Sequence, residues 1–323
     1  MTGSTRTQGS TWEITEPVKL AFDEPLTPLT ALTVRLVQGT VNVVGSDDPT
    51  ARLEVSAVAG PPLTVTRRGS ALSVGYGDVP WKRWLKLLGP GTRDHTATVT
   101  LTVPAHIRVD IGVVGAEAVV TGVDGGICVQ SVSGDTTLVG VAGEVRAESV
   151  SGDLEVQALS GRLRYHSVSG DLTVIEGVPD ARVRAESVSG DLLLDLAAPA
   201  DGAARATDVK LTTVSGEVAI RLPGALDAKV DVNTAGGSVV NAFDALRVTH
   251  DWGENRISGR LGAGGGTLKA WTMSGSVALL SRPEDEESGP GPGPGPGPDD
   301  SAGPADPARP ADSTGADSTG KVL

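Results

Sequence analysis

The chain is 323 residues long, 39% hydrophobic and only 3% aromatic, with 43 Gly, 21 Pro and a formal charge of −13. Few aromatics and many small residues suit a thin all-β stack better than a thick globular core, and the negative charge argues against nucleic acid as a partner. Cys128 is the only cysteine, which excludes an internal disulfide.

Residues 1–17 read as a polar, flexible N-terminus, and residues 18–118 as an irregular β-region. Strand alternation begins near Leu32–Leu36, and Val37-Gln-Gly39-Thr-Val41-Asn-Val43 is a first copy of a repeat unit. Arg52–Val58, Pro62–Thr66, Ala71–Tyr76 and Thr96–Val103 follow as strands between Gly, Pro and Asp turn signals. Pro80–Leu88 breaks this pattern. Trp81, Trp84, Leu85 and Leu88 share one helical face and Lys82, Arg83 and Lys86 the other, with Asp78 to cap and Gly89-Pro90 to stop the helix. The favoured reading is a plug over an end of the fold. The alternative makes Trp81, Trp84, Lys82, Arg83 and Lys86 a partner-binding or membrane-surface element.

Residues 119–281 carry the repeat. Ser-Val-Ser-Gly-Asp recurs at 131–135, 149–153, 167–171 and 187–191, and Thr-Val-Ser-Gly-Glu follows at 213–217. Gly125, Gly134, Gly143, Gly152, Gly161 and Gly170 are nine residues apart. Val150, Gly152, Leu154 and Val156 alternate with polar residues, the period-two strand signal, which places the glycine inward and inside a strand. Nine is odd, so a corner must reset the phase between copies. Alternate copies differ in kind, which predicts 18-residue coils of two unlike nine-residue halves, stacked about 4.8 Å apart as a β-solenoid. The alternative is an antiparallel meander with Ser-Gly-Asp as its turn.

Beyond Val174 the coils lengthen, with Ala197–Thr207 as an inserted loop. Ala235–Val239, Ile257–Leu261 and Met273–Leu279 read as worn copies. Residues 282–323 read as a disordered acidic, Pro-Gly tail, with nine acids against three bases.

Tandem Ser-Val-Ser-Gly-Asp-Leu units, preceded by a Gly-x-Val-x-Val strand, resemble the bacterial putative-adhesin family of β-strand repeat proteins, a domain of unknown function. The resemblance spans roughly Leu29 to Ser281. It implies a repetitive β-fold of solenoid type and a binding role, and it brings no catalytic residues.

The chemistry-bearing residues are sparse. His95, His106, His166 and His250 are scattered, and none has metal-ligand spacing to another or to Cys128. No Gly-x-Ser-x-Gly elbow occurs. Gly315–Lys321 mimics a phosphate loop, but Val322 stands where the metal-holding hydroxyl would be. Asp135, Asp153, Asp171 and Asp191, followed by Glu217, would form a row on one outer face, the one candidate metal column. It lacks the glycine-rich loop of nine-residue calcium repeats, so a solvated structural face is the favoured reading. The chain therefore reads as a non-catalytic interaction scaffold for a protein or glycan, with no cofactor. A calcium-binding module and a polysaccharide-acting solenoid enzyme are the alternatives. The chain shows no apolar signal run, no stretch of about 20 apolar residues to cross a bilayer and no wall anchor, so the expected location is cytoplasmic.

Overall fold

An odd repeat length forces the chain to flip sides somewhere in every copy, and the corner shows how it does so. In the coil 144–161, Val145 and Ala147 point inward, Val150 and Ser151 both point outward, and Gly152, Leu154 and Val156 point inward again. Two successive outward residues reset the parity. The computed structural model describes residues 10–22, 28–76, 95–178, 180–199, 201–251 and 254–283. The expected helix at 80–88 and all but the first two residues of the expected tail lie outside the described residues.

The described residues form two sheets and no helix. Each coil gives one strand to each sheet. In the first sheet Arg108–Val113, Ile127–Ser131, Glu144–Ser149, Arg162–Ser167, Arg182–Glu186 and Asp208–Thr213 pair in parallel. In the second, Glu117–Thr121, Thr136–Val139, Leu154–Gln157, Leu172–Gly177, Leu192–Leu196 and Val218–Leu222 do the same. Equivalent residues lie opposite one another: Ala118, Thr136, Leu154, Leu172, Leu192 and Val218 form one inward column. The all-parallel register is the solenoid and excludes the meander. Ala31–Leu36 and Gln38–Ser46 belong to the same stack, paired in parallel with Arg108–Val113 and Glu117–Thr121.

Both ends turn antiparallel. Ser10–Ile14 pairs with Leu63–Arg68, and Val18–Phe22 with Ala51–Ala59. At the other end Leu226–Thr234 pairs antiparallel with Glu254–Leu261, which pairs antiparallel with Leu246–Asp251. Such reversals limit the continuation of a parallel ladder into a second molecule. The last coil in sequence is not the last in space: Gly266–Thr272 inserts between Asp208–Thr213 and Leu226–Thr234, and Val277–Ser281 between Val218–Leu222 and Val239–Asn241.

One apolar core runs between the sheets, built from Val, Leu, Ile and Ala, with Tyr165 its largest fully buried side chain. Each fully buried Val or Leu contributes about 1.5–3 kcal/mol, so a thin stack gains its stability from many small equal steps. The Tyr165 hydroxyl donates to the Asp171 carbonyl at 3.1 Å, and burial pushes its phenol up to about 12.

Three sequence expectations need correction. The repeat glycine faces inward, but at the corner just before the strand rather than inside it. The valine of Ser-Val-Ser-Gly-Asp belongs outside: Val150, Val168 and Val188 are about half exposed (48%, 51% and 49%). The first serine takes the inward place instead. Gly259 is no copy of the corner glycine either, since it lies within the antiparallel strand Glu254–Leu261.

Candidate functional site

The Ser-Val-Ser-Gly-Asp corner is a hydrogen-bonded staple in which each residue has one task. Gly152 must be glycine because a Cβ there would lie 2.2 Å from the Gly134 carbonyl oxygen of the coil below. The same column continues through Gly170, Gly190, Gly216 and Gly275. The first serine is turned in to serve the buried glycine peptide. Ser149 Oγ donates to the Gly152 carbonyl at 2.7 Å, while Ser167 Oγ accepts the Gly170 N–H at 2.8 Å. The second serine is exposed and reaches down the stack: Ser151, Ser169 and Ser189 donate to the carbonyls of Val132, Val150 and Val168 at 3.1, 3.1 and 3.2 Å.

Asp135, Asp153, Asp171, Asp191 and Glu217 do form one outer row. Each aspartate's Oδ1 accepts the backbone N–H of the next acid: Asp153 at 3.0 Å, Asp171 at 2.9 Å, Asp191 at 2.8 Å and Glu217 at 2.7 Å. The carboxylate thus stands in for the ladder carbonyl at the corner. Charge-assisted bonds of this kind contribute about 1.5–3 kcal/mol, less where exposed, against up to about 1 kcal/mol of repulsion per neighbouring pair in water. Each carboxylate of the row is thereby tied to the backbone of the neighbouring coil. Among the described residues no group of three or more His, Cys, Asp or Glu side chains is arranged to hold a metal ion. Trp81, Trp84, Lys82, Arg83 and Lys86 lie outside the described residues.

The feature that the sequence reading missed lies on the outer face of the first sheet. There, opposite-lying residues run Arg146, Arg164, Arg184, Lys210, Lys269. A second column, two residues earlier, runs Glu144, Arg162, Arg182, Asp208, Thr267. Five cations therefore stack in line on a chain whose net charge is −13. Between the columns lies an open groove of about 440 Å³, lined by Arg162, Arg164, Arg182, Arg184, Lys210 and Lys269 with the single carboxylate of Asp208. Glu144 lies 3.3 Å from Arg146 and 3.6 Å from Arg164, and Glu186 lies 3.9 Å from Arg184. Arg162, Arg182, Lys210 and Lys269 have no carboxylate within 4.0 Å among the described residues. The signal was present in the sequence. These residues stand at one fixed place in the copies between the Ser-Gly-Asp corners, but the acidic motif is louder and the lengthened coils hide their common register.

On the second sheet, Asp195 is 5% exposed and held by Arg221 at 2.7 Å and Arg282 at 2.6 Å. Burial alone would raise its carboxyl, and the hydrogen bonds from the two guanidiniums outweigh it, so the group is held below the usual range. The Cys128 thiol is pushed up by burial, then by Asp110 and Glu148.

No curated protein matches the chain. Among solved structures, it is similar to a putative cell adhesion protein from Clostridium sporogenes (10% identity, 83% of this chain and 100% of that one, TM-score 0.21). It is also similar to a putative adhesin from Bacteroides fragilis (10% identity, 86% and 98%, TM-score 0.38). A third is described as a putative lipid binding protein from Parabacteroides distasonis (11% identity, 82% and 97%, TM-score 0.35). Residues 126–206, the centre of the parallel stack, match the family model Toastrack DUF4097, a domain of unknown function.

Proposed function

We propose that this protein is a non-catalytic interaction scaffold whose contact face is the outer surface of the first sheet. The carrying observation is the set of cations with no carboxylate within 4.0 Å among the described residues, Arg162, Arg182, Lys210 and Lys269, held in register on a stack of otherwise acidic character. An ordered, unpartnered charge array focuses an opposite charge and sets its register. The repeat corners, in contrast, spend their hydroxyls and carboxylates on the stack itself. His166 lies beside Glu186 at 3.6 Å on an open face, and His250 bonds Asn255.

Binding of the wild type and of Arg182→Glu/Lys210→Glu to a printed array of glycans and peptides tests this, with a parallel assay for released products. Ligands captured by the wild type and lost by the reversed protein support the scaffold. Unchanged capture, or cleavage of any array polymer, overturns it.

A further inference from the structure

We infer that the groove on the first sheet binds an acidic polysaccharide laid along the axis of the stack; this deepens the scaffold reading and rests on it. The groove crosses four strands, Arg162–Ser167, Arg182–Glu186, Asp208–Thr213 and Gly266–Thr272. Along it the cations Arg164, Arg184, Lys210 and Lys269 recur once per strand, about every 4.8 Å. A sugar ring is roughly as long as this spacing, so a chain laid in the groove advances by about one ring per coil, and the carboxylates of successive rings, which turn about the chain axis, meet cations on both sides of the groove. Arg162 and Arg182 line the other side and can reach the same groups from across the groove.

Other anionic partners fit less well. An acidic peptide in extended form repeats its side chains every 6.6–6.8 Å or so on one face, out of step with the ladder. Its backbone would also find no partner, because β-addition needs a sheet edge and this is a sheet face. A bilayer or a nucleic-acid duplex presents a broad anionic surface, which would also meet Glu144, Glu148, Glu186 and the acidic body. A single chain in the groove meets the lining alone, six cations against Asp208. Trp271 adds a second feature. It lies two residues beyond Lys269 in the same strand and on the same face, and it is 37% exposed. An open indole beside a cationic groove offers a surface for the C–H face of a sugar ring.

The test is calorimetric titration of the full chain with an oligogalacturonate at low and at physiological salt. Neutral dextran, poly-glutamate, a DNA duplex and phosphatidylglycerol vesicles serve as comparison probes. Saturable, salt-sensitive binding is expected for the uronate oligomer and not for dextran. Arg182→Ala/Lys210→Ala/Lys269→Ala should weaken it about tenfold or more. Trp271→Ala should weaken it less and without changing the salt dependence, and Arg182→Lys/Arg162→Lys should retain it. Melting curves that match the wild type establish that each variant folds. Absent uronate binding, or binding unchanged in the triple variant, overturns the proposal. Binding of poly-glutamate, duplex or vesicles in place of uronate, lost in the triple variant, overturns the ligand class but leaves the scaffold reading standing. No binding of any anionic probe overturns both.

Discussion

Asp153 Oδ1 accepts the backbone N–H of Asp171 at 2.9 Å, so a side chain from one coil completes the ladder of the next. The interaction needs an acceptor and not a charge. Asp153→Asn keeps an oxygen there and removes repulsion from Asp135 and Asp171, so its stability should stay within about 0.5 kcal/mol of wild type. Asp153→Ala removes the acceptor and should cost about 1–2 kcal/mol. Urea denaturation midpoints distinguish the two, and an equal loss in both would mean that the charge itself is required. Calcium titration of the wild type should give no saturable heat below the millimolar range. A micromolar site lost in Asp153→Asn/Asp171→Asn would reinstate the calcium module.

The corner inverts the usual meaning of its residues. Ser167 is buried and Val168 exposed, so Ser167→Ala should cost about 1–3 kcal/mol by leaving the Gly170 N–H unpartnered. Val168→Ser should cost less than about 0.5 kcal/mol. Gly152→Val should exceed both, since its Cβ would meet the fixed Gly134 carbonyl rather than a movable side chain. The order of melting temperatures checks this ranking, and a Val168→Ser loss equal to that of Ser167→Ala would contradict it.

At the opposite corner Gly122, Gly140, Ala158 and Glu176 occupy equivalent left-handed positions, with φ of 66°, 62°, 53° and 55°. Nothing lies within 4 Å of a Cβ at Gly140, so the cost of a side chain here is in the backbone and not in crowding. A non-glycine residue in this region costs about 1–2 kcal/mol, partly offset by the greater unfolded freedom of glycine. Ala158→Gly should therefore raise the urea midpoint by the equivalent of up to about 1 kcal/mol, and Gly140→Ala should lower it similarly. A destabilised Ala158→Gly protein would contradict this account.

Asp195 makes stability depend on acid. Its folded carboxyl titrates below its unfolded value near 3.9, so its contribution is complete above about pH 4 and is lost as pH falls through the folded value. The difference in stability between wild type and Asp195→Asn should be constant around neutrality and should close below about pH 4. Asp195→Ala would leave the 11%-exposed Arg282 without its carboxylate and should cost about 3–5 kcal/mol. A gap that widens in acid would show that the pair does not hold the carboxylate charged.

Periodicity carried the fold a long way. The nine-residue glycine spacing and the alternating kinds of copy were enough to expect two-sided 18-residue coils, because parallel stacking repeats one environment at each step. The orientation of Val150 was not legible by alternation, since two outward residues in succession break the period at the corner. The place of Met273–Leu279 was hidden because strand order in space is set by pairing rather than by sequence. The acidic row was legible by residue number, yet its task was not: a carboxylate satisfying a backbone N–H looks, in sequence, like any exposed carboxylate. Arg164, Arg184 and Lys210 are spaced by 20 and 26 residues, and only the register reveals that they stand in one line.

The claim that function resides on the first sheet and structure in the acidic corners is tested most directly by covalent lysine footprinting with and without oligogalacturonate. Lys210 and Lys269 should lose reactivity as ligand is added, in proportion to occupancy, while exposed Lys19 on the second sheet stays unchanged. Equal protection of all three lysines, or none at Lys210 and Lys269 under saturating ligand, would contradict the account.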